Sequence, residues 1–169
     1  APMNKMGLCV AKNSANGVRI TPLGEYFLSE DYDLGKLFFI HFLKWQLPNP
    51  ASDGFSDSDG FAIKPFIGTL HLIKEVNKKW QALGNDPVGI TKEEFALFAP
   101  TLIHYQNIVA QAEKLIGYRT ELRAQTSEAD KRTFKRRFQK RFAQEFLQTR
   151  ATGEVNSLLN NLWDYGDNA

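Results

Sequence analysis

A row of phenylalanines constrains this chain more than anything else in it. Phe134, Phe138, Phe142 and Phe146 recur at every fourth residue, with Ala143 and Leu147 beside them. In a strand, alternate residues share a face, so Arg132, Arg136 and Lys140 would be buried together with the rings. In a helix the same spacing gathers the rings on one side and leaves the intervening charges outside. An amphipathic helix is therefore expected over Glu128–Gln148. Seven positive charges, Lys131, Arg132, Lys135, Arg136, Arg137, Lys140 and Arg141, fall within eleven residues of it.

A charged back of this kind often does no more than keep a helix solvated. The distribution of charge along the chain argues for something further. Residues 1–113 carry 10 Lys and Arg against 12 Asp and Glu, whereas residues 114–150 carry 11 against 4. The stretch 151–169 is acidic, with Glu154, Asp164 and Asp167. A basic field concentrated in one segment suits a polyanion, because each phosphate neutralised releases counterions. Membrane-surface binding is the competing reading, but an interfacial helix needs its aromatic face free. Here the neighbouring helices need that face for a shared core, and no membrane partner is expected.

Several classes are excluded more directly. With 43% apolar residues, 13 Phe and three Trp, the chain can bury a core and is not disordered. No apolar run approaches the roughly 20 residues of a membrane span, and no secretory signal pattern is present. A cytoplasmic location is the resulting expectation. The single cysteine, Cys9, excludes an internal disulfide and any Cys-based zinc site. His41, His71 and His104 match no zinc spacing, so no metal site is expected. The start Ala-Pro-Met suggests a piece cut from a longer protein.

Along the chain, Gly7–Ala11 and Val18–Ile20 form two short apolar strands around a loop ending Asn16-Gly17, a hairpin signal. Thr21 can cap a short helix with Pro22 in its first position. A hairpin followed by such a helix resembles the closing half of a winged-helix module. Asp33 caps a second helix to about Leu47, whose Leu34, Leu37, Phe38, Phe39, Ile40, Phe42, Leu43 and Trp45 predict burial on most sides. Ala51–Gly60 is a polar loop. A third helix covers about Lys64–Leu83, closed by Gly84–Pro87. A fourth begins at a capping box, Thr91 to Glu94, and a fifth runs from about Gln106 to Arg123 with Ile108, Ala112, Leu115 and Leu122 along one side. A last short helix is expected over Thr152–Asp164. Helix, capped short helix, turn and longer helix is the order of a helix-turn-helix unit. The expected fold is mainly α, with helix-turn-helix or winged-helix-like subdomains and a small N-terminal β-hairpin. Its parts are 1–50, the end of a first winged-helix subdomain and a connecting helix; 51–62, the loop; 63–125, a second helix-turn-helix-like subdomain; and 126–169, the basic helix and a C-terminal helix.

Three stretches carry a family resemblance: Ile20-Thr21-Pro22-Leu23-Gly24-Glu25, Phe42-Leu43-Lys44-Trp45-Gln46-Leu47-Pro48, and Ile63-Lys64-Pro65-Phe66. With the helix Gly89–Phe95, the region Gly117-Tyr118-Arg119 and Lys140–Phe142, they resemble the AlwI-type restriction endonucleases, which include type IIS and nicking enzymes. The likeness runs in order over roughly residues 1–145. It implies that winged-helix-like subdomains read a short asymmetric duplex site and that a linked nuclease domain cuts nearby using Mg²⁺. This chain would match the recognition region, its nuclease domain lying elsewhere in the parent chain. No Asp or Glu stands two residues before any Lys, so the Glu/Asp-x-Lys element that holds the metal is absent from it.

The expected function is sequence-specific binding of double-stranded DNA, with no catalytic residue in this chain. Base contact is assigned to His104, Tyr105, Gln106, Asn107, Gln111 and Lys114, because Asn and Gln can pair with adenine and Lys with guanine. Packing or capping of the turn is the simpler role for His104 and Tyr105. Phosphate contact is assigned to Arg119, Arg123, Lys131, Arg132, Lys135, Arg136, Arg137, Lys140 and Arg141, with an acidic partner such as the neighbours of Glu121 as the alternative for Arg119 and Arg123. A winged-helix transcriptional regulator and a basic protein-interaction module are the rival functions.

Overall fold

The computed structural model describes residues 3, 6–10, 17–29, 31–47 and 62–148. The described chain is mainly helical, with six helices and one two-stranded hairpin, and it separates into two compact units, Ala1–Gly68 and Thr69–Ala169.

In the first unit, β1 (Cys9–Val10) and β2 (Arg19–Ile20) pair antiparallel, Cys9 opposite Ile20 and Val10 opposite Arg19. The expected turn before Gly17 lies outside the described residues. Helix α1 (Pro22–Leu28) starts as its sequence requires. Thr21 Oγ1 accepts the Gly24 N–H at 3.1 Å and donates to the Gly7 carbonyl at 2.7 Å, which ties the cap to the hairpin. Gly24 is fixed by close approach, since a Cβ there would collide with the Leu8 carbonyl oxygen and the Ile20 side chain.

Helix α2 (Leu34–Lys44) is capped by Asp33, whose Oδ1 accepts the Lys36 N–H at 2.9 Å. The chain leaves it through an extended Trp45, and Leu47 then pairs with Ile63 through bonds of 2.7 and 3.1 Å. The burial of α2 differs from expectation. Leu37 is buried, but Phe39 is 54% exposed, and Leu34, Ile40, Phe42 and Trp45 are exposed as well. Among the described residues, ring contacts to α2 come from Phe66, edge-on to Phe39 at 6.2 Å and stacked on Phe42 at 5.8 Å, and so cover one side.

Helix α3 (Pro65–Ala82) ends in a Schellman turn: Gly84, at φ 78°, donates to Gln81 O and Asn85 donates to Trp80 O. Asn77, on the inner side of α3, accepts the Gly89 N–H at 2.8 Å and so places the segment leading to the next helix. Helix α4 (Lys92–Phe98) opens with the complete capping box of Thr91 and Glu94. A 3₁₀ turn (Tyr105–Asn107) leads into α5 (Ile108–Arg123), and Ser127 caps α6 (Glu128–Gln148) by accepting the Asp130 N–H.

The core of the second unit joins Leu72, Val76 and Trp80 of α3, Phe98, Leu102, then Ala112, Leu115 and Tyr118 of α5, and Phe134, Phe138 and Phe142 of α6. Phe98 meets Phe138 at 6.1 Å and Phe142 at 5.1 Å, while Tyr118 meets Phe134 at 5.7 Å and Phe138 at 4.8 Å. The phenylalanine row is thus turned inward. No described helix is long and apolar enough to cross a membrane. The polar loop expected over Ala51–Gly60 and the helix expected over Thr152–Asp164 lie outside the described residues.

Candidate nucleic-acid interface

Burying the rings of α6 leaves its charges to the sides and back, where they divide into two groups. Lys135 reaches across to Glu93 of α4 at 2.6 Å, and Lys131 pairs with Glu128 at 2.6 Å. Hydrogen bonding from Lys131 and its charge hold the Glu128 carboxyl below its ordinary range. Arg141 lies 3.8 Å from Glu145 and over the Phe138 ring, and Arg132 makes a long bond to the Glu128 carbonyl. Arg136, Arg137 and Lys140 form the second group. All three are exposed, Arg136 and Lys140 opposite the rings and Arg137 to one side, and among the described residues none has an ion pair or hydrogen bond.

Arg119, expected at phosphate, is placed inside the unit instead. It is 6% exposed. Its Nε donates to Glu94 Oε1 at 2.8 Å, and its Nη2 donates to Glu94 Oε2 at 2.7 Å and to the Gly89 carbonyl at 2.9 Å. Nη1 is buried without a hydrogen-bond partner, and the indole of Trp80 faces the guanidinium at 5.0 Å. Burial alone would raise the Glu94 carboxyl. The bond from Arg119, those from Thr91 and the guanidinium charge outweigh it and hold the group below its ordinary value. Arg123 remains exposed but is stacked on Trp80 at 4.4 Å and bonded to Asn85 Oδ1 at 3.3 Å. Burial, with Glu93 and Glu94 nearby, pushes the Tyr118 phenol up to about 12.

The residues expected to meet bases divide in the same way. Gln111 is buried, and its Nε2 donates to the Phe98 carbonyl at 2.8 Å and to Thr101 Oγ1 at 2.7 Å. Thr101 in turn donates to carbonyls of α4, so Gln111 fastens the turn to both helices. His104 caps the 3₁₀ turn, its Nδ1 accepting the Gln106 N–H at 3.1 Å. Tyr105, Gln106, Asn107 and Lys114 are exposed, with Tyr105 edge-on to His71 at 6.4 Å and the Lys114 ammonium 5.6 Å from the Phe142 ring. The turn and the first half of α5 therefore expose two amide side chains and a lysine, above a turn tied down by hydrogen bonds.

The resemblance implies Mg²⁺ for cleavage, but the described residues do not fit such an ion. Among them no three His, Cys, Asp or Glu side chains gather as a metal site would require. Four acids of the second unit are tied to cations: Glu75 and Glu113 to Lys79, Glu93 to Lys135 and Glu94 to Arg119. No catalytic step is assigned to them.

The capping box at Thr91, the Gly117-Tyr118-Arg119 stretch and the inward-facing Phe142 all lie within segments that carry the sequence resemblance. None of the curated proteins with which the chain was compared matches it. A sequence model of the AlwI restriction endonuclease matches residues 4–169. The chain therefore belongs to the AlwI restriction endonuclease family.

Proposed function

We propose that this chain is the DNA-recognition part of a type IIS restriction or nicking endonuclease, whose Mg²⁺-dependent nuclease domain is supplied elsewhere in the parent protein. Membership of a restriction-enzyme family makes DNA the substrate. The observation that carries the assignment to this part of the enzyme is the unpaired, outward trio Arg136, Arg137 and Lys140, set on a helix whose opposite face is sealed into the core. Three neighbouring cations without a carboxylate repel one another, and a row of phosphates relieves that repulsion.

In this reading α6 fixes the position of the unit on the duplex and carries no sequence information itself. The start of α5 reads the bases: Gln106 and Asn107 by paired donors and acceptors on adenine, Lys114 on guanine. Gln111, His104 and Arg119 serve the reading surface from beneath, holding the turn and the angle between α4 and α5. The winged-helix description of the first unit rests on its hairpin followed by a capped helix.

Selection of duplexes from a randomised pool by the 169-residue chain tests this directly. A short asymmetric motif should be enriched over successive rounds. A pool that stays random after binding and elution contradicts sequence-specific recognition.

A further inference from the structure

Helix α5 is bordered by cations on a second side. α6 packs along the side bearing Lys114 and Tyr118. The other side faces α3, where Lys79 bonds Glu113 at 2.9 Å, Arg123 lies over Trp80 at 4.4 Å and His71 meets the ring of Tyr105 at 6.4 Å. On α3, His71, Lys74 and Lys78 follow one another at one- and two-turn spacing and are all exposed. Lys74 has no ion pair or hydrogen bond among the described residues. Lys78 touches Glu75 only at 3.9 Å, with 77% of its side chain exposed. The acids of this border, Glu75 and Glu113, are already shared by Lys79 at 3.8 and 2.9 Å.

We infer that this side of α3 is a second phosphate-binding surface, in which Lys74 and Lys78 carry the charge and the His71–Tyr105 contact ties it to the reading turn. A helix lying in a major groove about 12 Å wide has the phosphates of both strands beside it. With α6 on one side and α3 on the other, each strand of the same groove meets its own cationic wall. The inference rests on the reading of α5 as the base-contacting helix, and it adds a strand contact that neither the charge run of α6 nor the turn supplies.

Fluorescence anisotropy of the 169-residue chain with a labelled mixed-sequence duplex, repeated over a salt series, tests it. Each phosphate contact adds about 0.9 to the steepness with which log affinity falls against log salt. Lys74→Ala with Lys78→Ala should flatten the slope by about 1 to 2, and the effect should add to that of Arg136→Ala, Arg137→Ala and Lys140→Ala because the sites are separate. Lys74→Glu alone should weaken binding more than Lys74→Ala. Both lysines are exposed, so thermal unfolding should be unchanged in the same preparations. A slope unaltered by the α3 changes but flattened by the α6 changes overturns this inference and leaves the reading of α5 and α6 standing. A chain whose duplex binding does not depend on salt at all overturns both.

Discussion

Arg119 holds Glu94 through two parallel hydrogen bonds, Nε to Oε1 at 2.8 Å and Nη2 to Oε2 at 2.7 Å, across 25 residues of sequence. Glu94 is at the same time the third residue of α4 and the acid of its capping box. One carboxylate thus closes the start of α4 and anchors the middle of α5, so the way these two helices pack depends on it. Neither partner is accessible enough for water to replace the other.

Removing one partner leaves a buried charge unpaired, which costs about 3 to 5 kcal/mol. Arg119→Met should therefore lower the urea midpoint strongly, and Arg119→Lys should not restore it, because an ammonium lacks the fork that grips both oxygens. The pH dependence gives a signed test. Glu94 is lowered from 4.5 in the folded chain, so its contribution is fully present above that pH and is lost as pH falls through the lower folded value. In Arg119→Met only the Thr91 bonds are left to oppose burial, so the Glu94 carboxyl should rise from its value in the unaltered chain and less of its contribution should be lost as pH falls. Unfolding curves of the two proteins between neutral and acid pH should converge.

Gln111→Ala separates a structural amide from a base-reading one. Its two bonds are to Phe98 O and Thr101 Oγ1 within the unit, and losing a hydrogen bond of this kind costs about 0.5 to 1.5 kcal/mol. Stability should fall while the pattern of preferred bases stays the same. Gln106→Ala and Asn107→Ala should do the reverse, keeping the unfolding midpoint and relaxing base preference.

Two helical glycines should respond oppositely to alanine. A Cβ at Gly24 meets the Leu8 carbonyl oxygen and Ile20, so Gly24→Ala should destabilise the first unit by about 1 to 3 kcal/mol through overpacking. A Cβ at Gly117 meets nothing within 4 Å, so Gly117→Ala should stabilise α5 by about 0.5 to 1 kcal/mol. Thermal unfolding of both variants checks the pair.

Much of this architecture was legible because caps and periods are local. The expected range Glu128–Gln148 is that of α6, the Thr91–Glu94 box is formed as expected, and α3 ends at the turn that Gly84 predicts. The partners of the charges were less legible. Gln111 and Arg119 stand on the same side of α5 as Ala112, Leu115 and Leu122, and a polar group within an apolar stripe must find a partner indoors. That signal was present in the spacing, but the identity of the partners depends on how α4 packs against α5. The exposure of Phe39 and Phe42 was not legible either, since hydrophobic periodicity defines a face without supplying what covers it.

The salt dependence of duplex binding by the Arg136→Ala, Arg137→Ala, Lys140→Ala protein tests the central claim most directly. The three side chains have no described partner within the chain, so stability should be unchanged and the slope should flatten by about 2 to 3. Binding should weaken alike on every sequence, and Lys131→Ala with Lys135→Ala should change the slope less because those ammonium groups already face Glu128 and Glu93. Unchanged affinity and slope in the triple variant would contradict the assignment of α6 to the sugar-phosphate backbone.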